Sequence, residues 1–71
     1  MVAEKWIQLF IDAIREKRCV TRRYLIDYVT TKHNIPEERA ANIVDDTVDA
    51  LLKRGVITRK GRGVYCWAGP P

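Results

Sequence analysis

At 71 residues the chain is long enough for one domain, and a domain this small buries only about 60% of its unfolded surface. Its 46% hydrophobic and 31% charged residues are typical of a globular protein and exclude a disordered one. No apolar run approaches the roughly 20 residues that cross a bilayer, and the amphipathic start differs from a signal peptide. We therefore expect no membrane partner and an intracellular, cytoplasmic location.

The net charge of +4 is unevenly distributed along the sequence. Residues 1–35 carry 7 basic and 4 acidic groups, residues 36–54 carry 3 and 5, and residues 55–71 carry 3 and none. Positive charge at both ends of the sequence favours a polyanionic partner.

The sequence has few residues of the types that catalysis or metal binding requires. The chain has no serine, one histidine and two cysteines, and these offer no nucleophile–base pair and no close pairs of metal ligands. We expect no catalysis, no cofactor, no metal and no small-molecule ligand.

The first predicted element is an amphipathic helix over residues 4–18, because its apolar side chains recur at helical spacing. They are Trp6, Ile7, Leu9, Phe10, Ala13 and Ile14. A short strand at residues 19–20 follows, and Thr21 suits the N-cap of a second helix over residues 22–32. The residues expected on the buried side of this second helix are Leu25, Ile26, Tyr28 and Val29.

The third predicted helix covers residues 36–54. Pro36 suits the first helical turn, and Gly55 supplies a left-handed stop. Its predicted buried face consists of Ala40, Val44, Thr47, Val48 and Leu51. A β-hairpin is predicted over residues 56–67, where two β-favouring runs flank Gly61-Arg62-Gly63.

Helix, short strand, helix, helix and hairpin is the element order of a winged helix. The passage Leu51-Leu52-Lys53-Arg54-Gly55-Val56-Ile57, ending in Gly61-Arg62-Gly63-Val64-Tyr65, resembles the segment from helix three to the wing in winged helix-turn-helix regulators. The resemblance covers nearly the whole chain. It implies one winged-helix domain over residues 1–71, mainly α with a small sheet, in which the second and third helices form the helix-turn-helix.

The resemblance also implies that Cys19-Val20 pairs with the returning hairpin strand at residues 64–67. Cys19 and Cys66 would then be cross-strand neighbours. Either a disulfide joins them, or both stay as buried reduced thiols, since disulfides are uncommon inside cells. Because winged-helix proteins commonly dimerise, the first helix is the candidate homodimer interface, through Trp6, Leu9 and Phe10.

Two basic clusters are candidates for contact with nucleic acid. Three basic side chains lie around the hairpin turn, with no acidic residue near them in the sequence. A projecting basic turn can reach the phosphates or the minor groove of a duplex. The second cluster surrounds the start of the second helix, where the free N–H groups favour phosphate. The predicted phosphate contacts are Arg59, Lys60, Arg62, Arg22 and Arg23, and the predicted base readers are Arg39 and Asn42.

The exposed side of the third helix carries more acids than bases, which is unusual for a helix that enters DNA. Two hypotheses follow. The first is a non-enzymatic double-stranded DNA-binding protein, a transcription regulator that uses the wing and the helix-turn-helix. The alternative is a protein-interaction module that binds a partner through the acidic face of the third helix.

Overall fold

The computed structural model describes residues 3–70, which form three helices and a small antiparallel sheet. In chain order the elements are α1 (Glu4–Lys17), β1 (Cys19–Thr21), α2 (Arg22–His33), α3 (Glu37–Arg54), β2 (Ile57–Gly61) and β3 (Val64–Trp67). The predicted order of elements is confirmed, and the predicted ends agree to within one residue. Pro36 is the N-cap of α3 and not its first helical residue, so that helix begins at Glu37.

The sheet has the order β1-β3-β2, with both pairings antiparallel. Cys19 lies opposite Cys66 and Val20 lies opposite Tyr65, so the predicted pairing of the short first strand with β3 is confirmed. β1 therefore ties the α1–α2 connection to the C-terminal hairpin.

Helix ends follow local hydrogen-bond chemistry. The Thr21 hydroxyl accepts a 3.0 Å hydrogen bond from the Tyr24 amide and caps α2, as predicted. Gly55 ends α3 with a φ of 76°, and its N–H donates to the carbonyl of Leu52. Arg18 ends α1 with a φ of 74° and a ψ of −52°, a strained region for a residue with a side chain.

The core lies where the three helices meet the inner face of the sheet. The predicted buried face of α3 is confirmed in full, and Leu25, Ile26 and Val29 are buried on α2. Tyr28 is only partly buried. Thr47 is a buried polar residue of the core, and its hydroxyl donates a 2.7 Å hydrogen bond to the Ile43 carbonyl, so this side chain has a hydrogen-bond partner.

The predicted dimer residues on α1 need a correction. Trp6 is 8% exposed and Phe10 is fully buried, because both pack into the chain's own core. The Trp6 ring also meets the His33 ring edge-on at 4.9 Å, which joins the start of α1 to the end of α2. Of the three predicted residues, only Leu9 keeps surface that a second copy could touch.

Candidate nucleic-acid interface

The C-terminal hairpin presents three exposed basic side chains around a tight turn. Gly63, with a φ of 69°, lets the chain reverse between β2 and β3. Arg59 pairs with Tyr65 and Gly61 pairs with Val64, so Lys60 is the extra residue of a β-bulge. Arg59, Lys60 and Arg62 are all exposed.

The start of α2 lies directly beside this turn. The Arg22 amide donates a 2.8 Å hydrogen bond to the Gly63 carbonyl. A Cβ placed on Gly63 would sit 3.8 Å from the Cβ of Arg22. The two basic clusters predicted from the sequence therefore meet at one place, where the hairpin turn touches the beginning of α2.

The Arg22 side chain is already engaged with an acid of α3. Its Nε and Nη2 donate to the two carboxylate oxygens of Asp45 at 2.9 and 3.1 Å. This two-point hydrogen bond raises the pKa of Arg22 and lowers the pKa of Asp45 below the ordinary carboxyl value. Arg22 thus neutralises the acid of α3 that lies nearest to it, and a phosphate there would compete with Asp45.

Arg23 is held in the same manner by two acids. Its guanidinium donates to Glu37 at 2.8 Å and to Asp27 at 2.9 Å, and these bonds raise the pKa of Arg23. The bond to Glu37 fastens the start of α2 to the start of α3. Arg22 and Arg23, both predicted phosphate contacts, therefore contribute ion pairs within the chain and no unpaired positive charge.

The exposed side of α3 is less acidic than its sequence implies. Besides Asp45, Asp49 is paired at 3.1 Å with Lys53. Glu38 and Asp46 are the acids of this helix that have no basic partner within 4.0 Å among residues 3–70. Much of the expected repulsion between α3 and a polyanion is cancelled inside the chain.

Both predicted base readers are exposed on α3, but Arg39 lies on a different flank of the helix from the one that faces the hairpin. At about 100° per residue, Arg39 is about 120° around the helix from Asp45, and Asn42 is about 60° from it. Asp45 and Asp49 line a shallow depression together with Arg59 and Tyr65, so this flank of α3 is the one that faces the hairpin. Arg39 is on the other flank, and the structure does not bring it to the basic side chains of the hairpin.

Of the basic groups that have no carboxylate within 4.0 Å among residues 3–70, three lie close together in sequence at the hairpin turn. Within the described part of the chain, six of the nine acids lie within 4.0 Å of a basic group. Arg59, Lys60 and Arg62 have no carboxylate within that distance among the same residues. The Arg59 guanidinium lies 5.7 Å from the centre of the Tyr65 ring, which holds it over β3.

A disulfide joins Cys19 of β1 to Cys66 of β3, which resolves the two alternatives that the sequence left open. The bond joins directly paired positions of β1 and β3, at the end of the hairpin away from its turn. It fixes the hairpin to the end of α1, so the basic turn is carried on a rigid sheet.

Sequence reasoning missed the ion pairs that join α2 to α3. Arg22 and Asp45 are 23 residues apart, and Arg23 and Glu37 are 14 apart, so no local pattern pairs them. The available signal was the coincidence of a basic start of α2 with an acidic α3. Asp27 was recognisable, because it lies one helical turn after Arg23.

The part of the chain that the structure describes contains neither a membrane-spanning helix nor a metal-binding cluster. None of the helices formed by residues 3–70 is long and apolar enough to cross a bilayer. The same residues contain no group of three or more His, Cys, Asp or Glu side chains placed to hold a metal ion. No protein-family model, curated protein or solved structure matches the chain.

Proposed function

We propose that the chain is a winged-helix protein that binds double-stranded DNA, with the β2–β3 hairpin as its wing. The observation that carries this proposal is the clustering of Arg59, Lys60 and Arg62 on one exposed turn, with no carboxylate within 4.0 Å of them among residues 3–70. Basic side chains on a narrow, projecting turn can contact the phosphates of a duplex backbone.

The placement of α2 supports the same function. Its N-terminus adjoins the turn, and the partial positive charge of a helix start adds to that of the arginines. The pairing of Arg22 with Asp45 removes a negative charge that a phosphate would otherwise meet. In this proposal Arg59, Lys60 and Arg62 contact the backbone, while Asn42 and Arg39 remain predicted base readers on α3.

A titration of a labelled random duplex by fluorescence anisotropy, repeated at several salt concentrations, tests the proposal. Each phosphate contact contributes about 0.9 to the slope of log affinity against log salt. The double variant Lys60→Ala/Arg62→Ala should therefore reduce that slope by about 1.8 and weaken binding to all duplexes alike. Asn42→Ala should change sequence preference more than overall affinity.

The double variant Lys5→Ala/Lys32→Ala is the matched control, since it removes the same charge. Contact between Trp6 and His33 places these two lysines at the end of α2 that lies away from the hairpin. With 12 residues, α2 separates the two ends by about 18 Å. If both double variants reduce the slope equally, binding follows net charge and the hairpin has no special role.

The protein-interaction alternative now depends on Glu38 and Asp46, because Asp45 and Asp49 are paired within the chain. The same titration separates the two functions. Absence of binding to any duplex at micromolar protein and low salt would exclude the DNA-binding proposal and favour a partner protein at α3. A role in transcription stays a prediction from the winged-helix resemblance.

A further inference from the structure

The two sulfurs of the Cys19–Cys66 disulfide differ in their exposure. Cys19 lies on β1, an edge strand of the sheet, and is exposed, whereas Cys66 lies on the central strand β3 and is 8% exposed. Cys66 pairs with Cys19 on one side and with Thr58 of β2 on the other. A reagent can therefore approach the Cys19 sulfur from the open edge of β1, while neighbouring strands flank Cys66 on both sides.

A shallow depression at this edge sets a positive charge beside Cys19. Its lining includes Lys17, Tyr24 and Val64. Within residues 3–70, Lys17 has no carboxylate within 4.0 Å, and its neighbour Glu16 lines the groove between α1 and α2 and not this depression. The attacking species in thiol–disulfide exchange is the thiolate anion, so a lysine at the point of approach favours the attack.

The disulfide stabilises the place where the two basic clusters meet. β1 has three residues, and α2 begins at the residue that follows it. There the Arg22 amide donates to the Gly63 carbonyl of the hairpin turn. We name β1, the first residue of α2 and residues 61–63 the hairpin junction. So short a strand has few hydrogen bonds, and without the covalent link the junction can open locally while the helices stay packed.

We propose that a low-molecular-weight thiol opens this disulfide at Cys19, and that the opening weakens DNA binding through the hairpin junction. The thiolate sulfur forms a bond to Sγ of Cys19, the Cys19–Cys66 bond breaks, and Cys66 leaves as a thiolate that takes a proton from water. A second thiol then attacks the added sulfur. Cys19 is released as a thiolate and the two thiols leave as their own disulfide, so two electrons pass from the thiols to the protein.

The effect on affinity rests on the function proposed above. A closed junction presents the start of α2 and the basic side chains of the hairpin together. Once the junction is open, DNA has to bring these groups back into place, so the binding-competent fraction falls and the apparent affinity falls by the same factor. We expect reduction to weaken binding to a random duplex about three- to tenfold.

Anisotropy with the labelled random duplex measures this change on oxidised and reduced protein at about 10 °C, a temperature that keeps a domain weakened by reduction folded. The Cys19→Ala/Cys66→Ala variant should bind as weakly as reduced protein and should not respond to reductant. Amide hydrogen exchange without DNA gives an independent readout. The Arg22 amide should lose protection on reduction, while amides in the middle of α3 should keep theirs.

The anionic thiol mercaptoacetate tests the site of attack. Mass spectrometry of protein quenched with acid at early times should locate the mixed disulfide on Cys19 and not on Cys66. Lys17→Glu should slow the reduction about three- to tenfold. Lys5→Glu is the matched control, since it makes the same charge change about 18 Å away along α1, and it should leave the rate within about twofold of wild type.

Equal affinity and equal Arg22 protection in the two redox states would overturn the proposal. So would loss of the helical circular dichroism signal on reduction at about 10 °C, because the disulfide would then hold the whole fold and not the junction. First adducts on Cys66, or equal rates for Lys17→Glu and Lys5→Glu, would contradict attack from the edge of β1. Absence of duplex binding by oxidised protein, with Arg22 still losing protection on reduction, would instead refute the proposed function.

Discussion

Reduction of the Cys19–Cys66 disulfide should lower the stability of the folded chain by a large share of its total. The bond spans a sequence separation of 47 residues. In the chain-entropy relation, a loop of that length is worth about 4 kcal/mol at 25 °C. At about 0.05–0.15 kcal/mol per residue, a chain of this size has a total of about 4–11 kcal/mol. Loss of the disulfide therefore removes a third or more of that stability.

The same free energy predicts a fall in melting temperature of about 25 °C, because 1 kcal/mol corresponds to about 4–8 °C in a domain of this size. Circular dichroism melts with and without a phosphine reductant measure the fall, with thiol titration to confirm that both cysteines are free. A Cys19→Ala/Cys66→Ala variant should melt near the reduced protein and should not respond to reductant. Reduced protein that melts within about 5 °C of the oxidised form would refute the loop-entropy argument.

Four further predictions concern three residues, Asp45, Arg18 and Thr21. Asp45→Asn should free Arg22 and steepen the salt slope of DNA binding by about 1, measured by anisotropy. Because Arg22 lowers the pKa of Asp45, the ion pair stabilises the fold above the ordinary carboxyl pKa of 3.8, and that contribution is lost as the pH falls through the lower folded pKa. At pH 6 the wild-type chain should therefore be more stable than Asp45→Asn by at most about 1 kcal/mol. Urea unfolding at successively lower pH should show this difference disappear by pH 2.5. Arg18→Gly should raise stability by about 1 kcal/mol in urea unfolding, since glycine adopts the positive φ of that position without strain, and a loss of stability would contradict this account. Thr21→Ala should lower stability by about 1 kcal/mol through loss of the cap on α2, while Thr21→Ser should keep most of it.

Local chemistry made the helices and their ends predictable from the sequence. The i, i+3, i+4 spacing of Ala40, Val44, Thr47 and Leu51 identifies the buried face of α3, because that periodicity is a property of the helix itself. Thr21 and Gly55 mark helix ends for similar reasons, since capping satisfies backbone groups only a few residues away. The hairpin turn also depends on nearby residues, through the left-handed conformation of Gly63.

The candidate site was predictable only in part. The basic turn at Arg59, Lys60 and Arg62 is visible in the sequence, because no acid lies near it along the chain. That Arg22 is bound by an acid of α3 is not visible there. Which charges remain available to a partner depends on distances between helices, and residues 23 apart meet only after the core has packed.

The sequence by itself therefore determined the elements of this protein, because each helix and turn is encoded by residues within one or two turns of one another. Only the tertiary structure decided which charges cancel, which aromatic residues the core absorbs, and that Cys19 and Cys66 are joined. These outcomes depend on contacts between segments far apart in the chain. Such contacts form when the apolar faces of the helices pack against the sheet, and a linear pattern does not contain that packing.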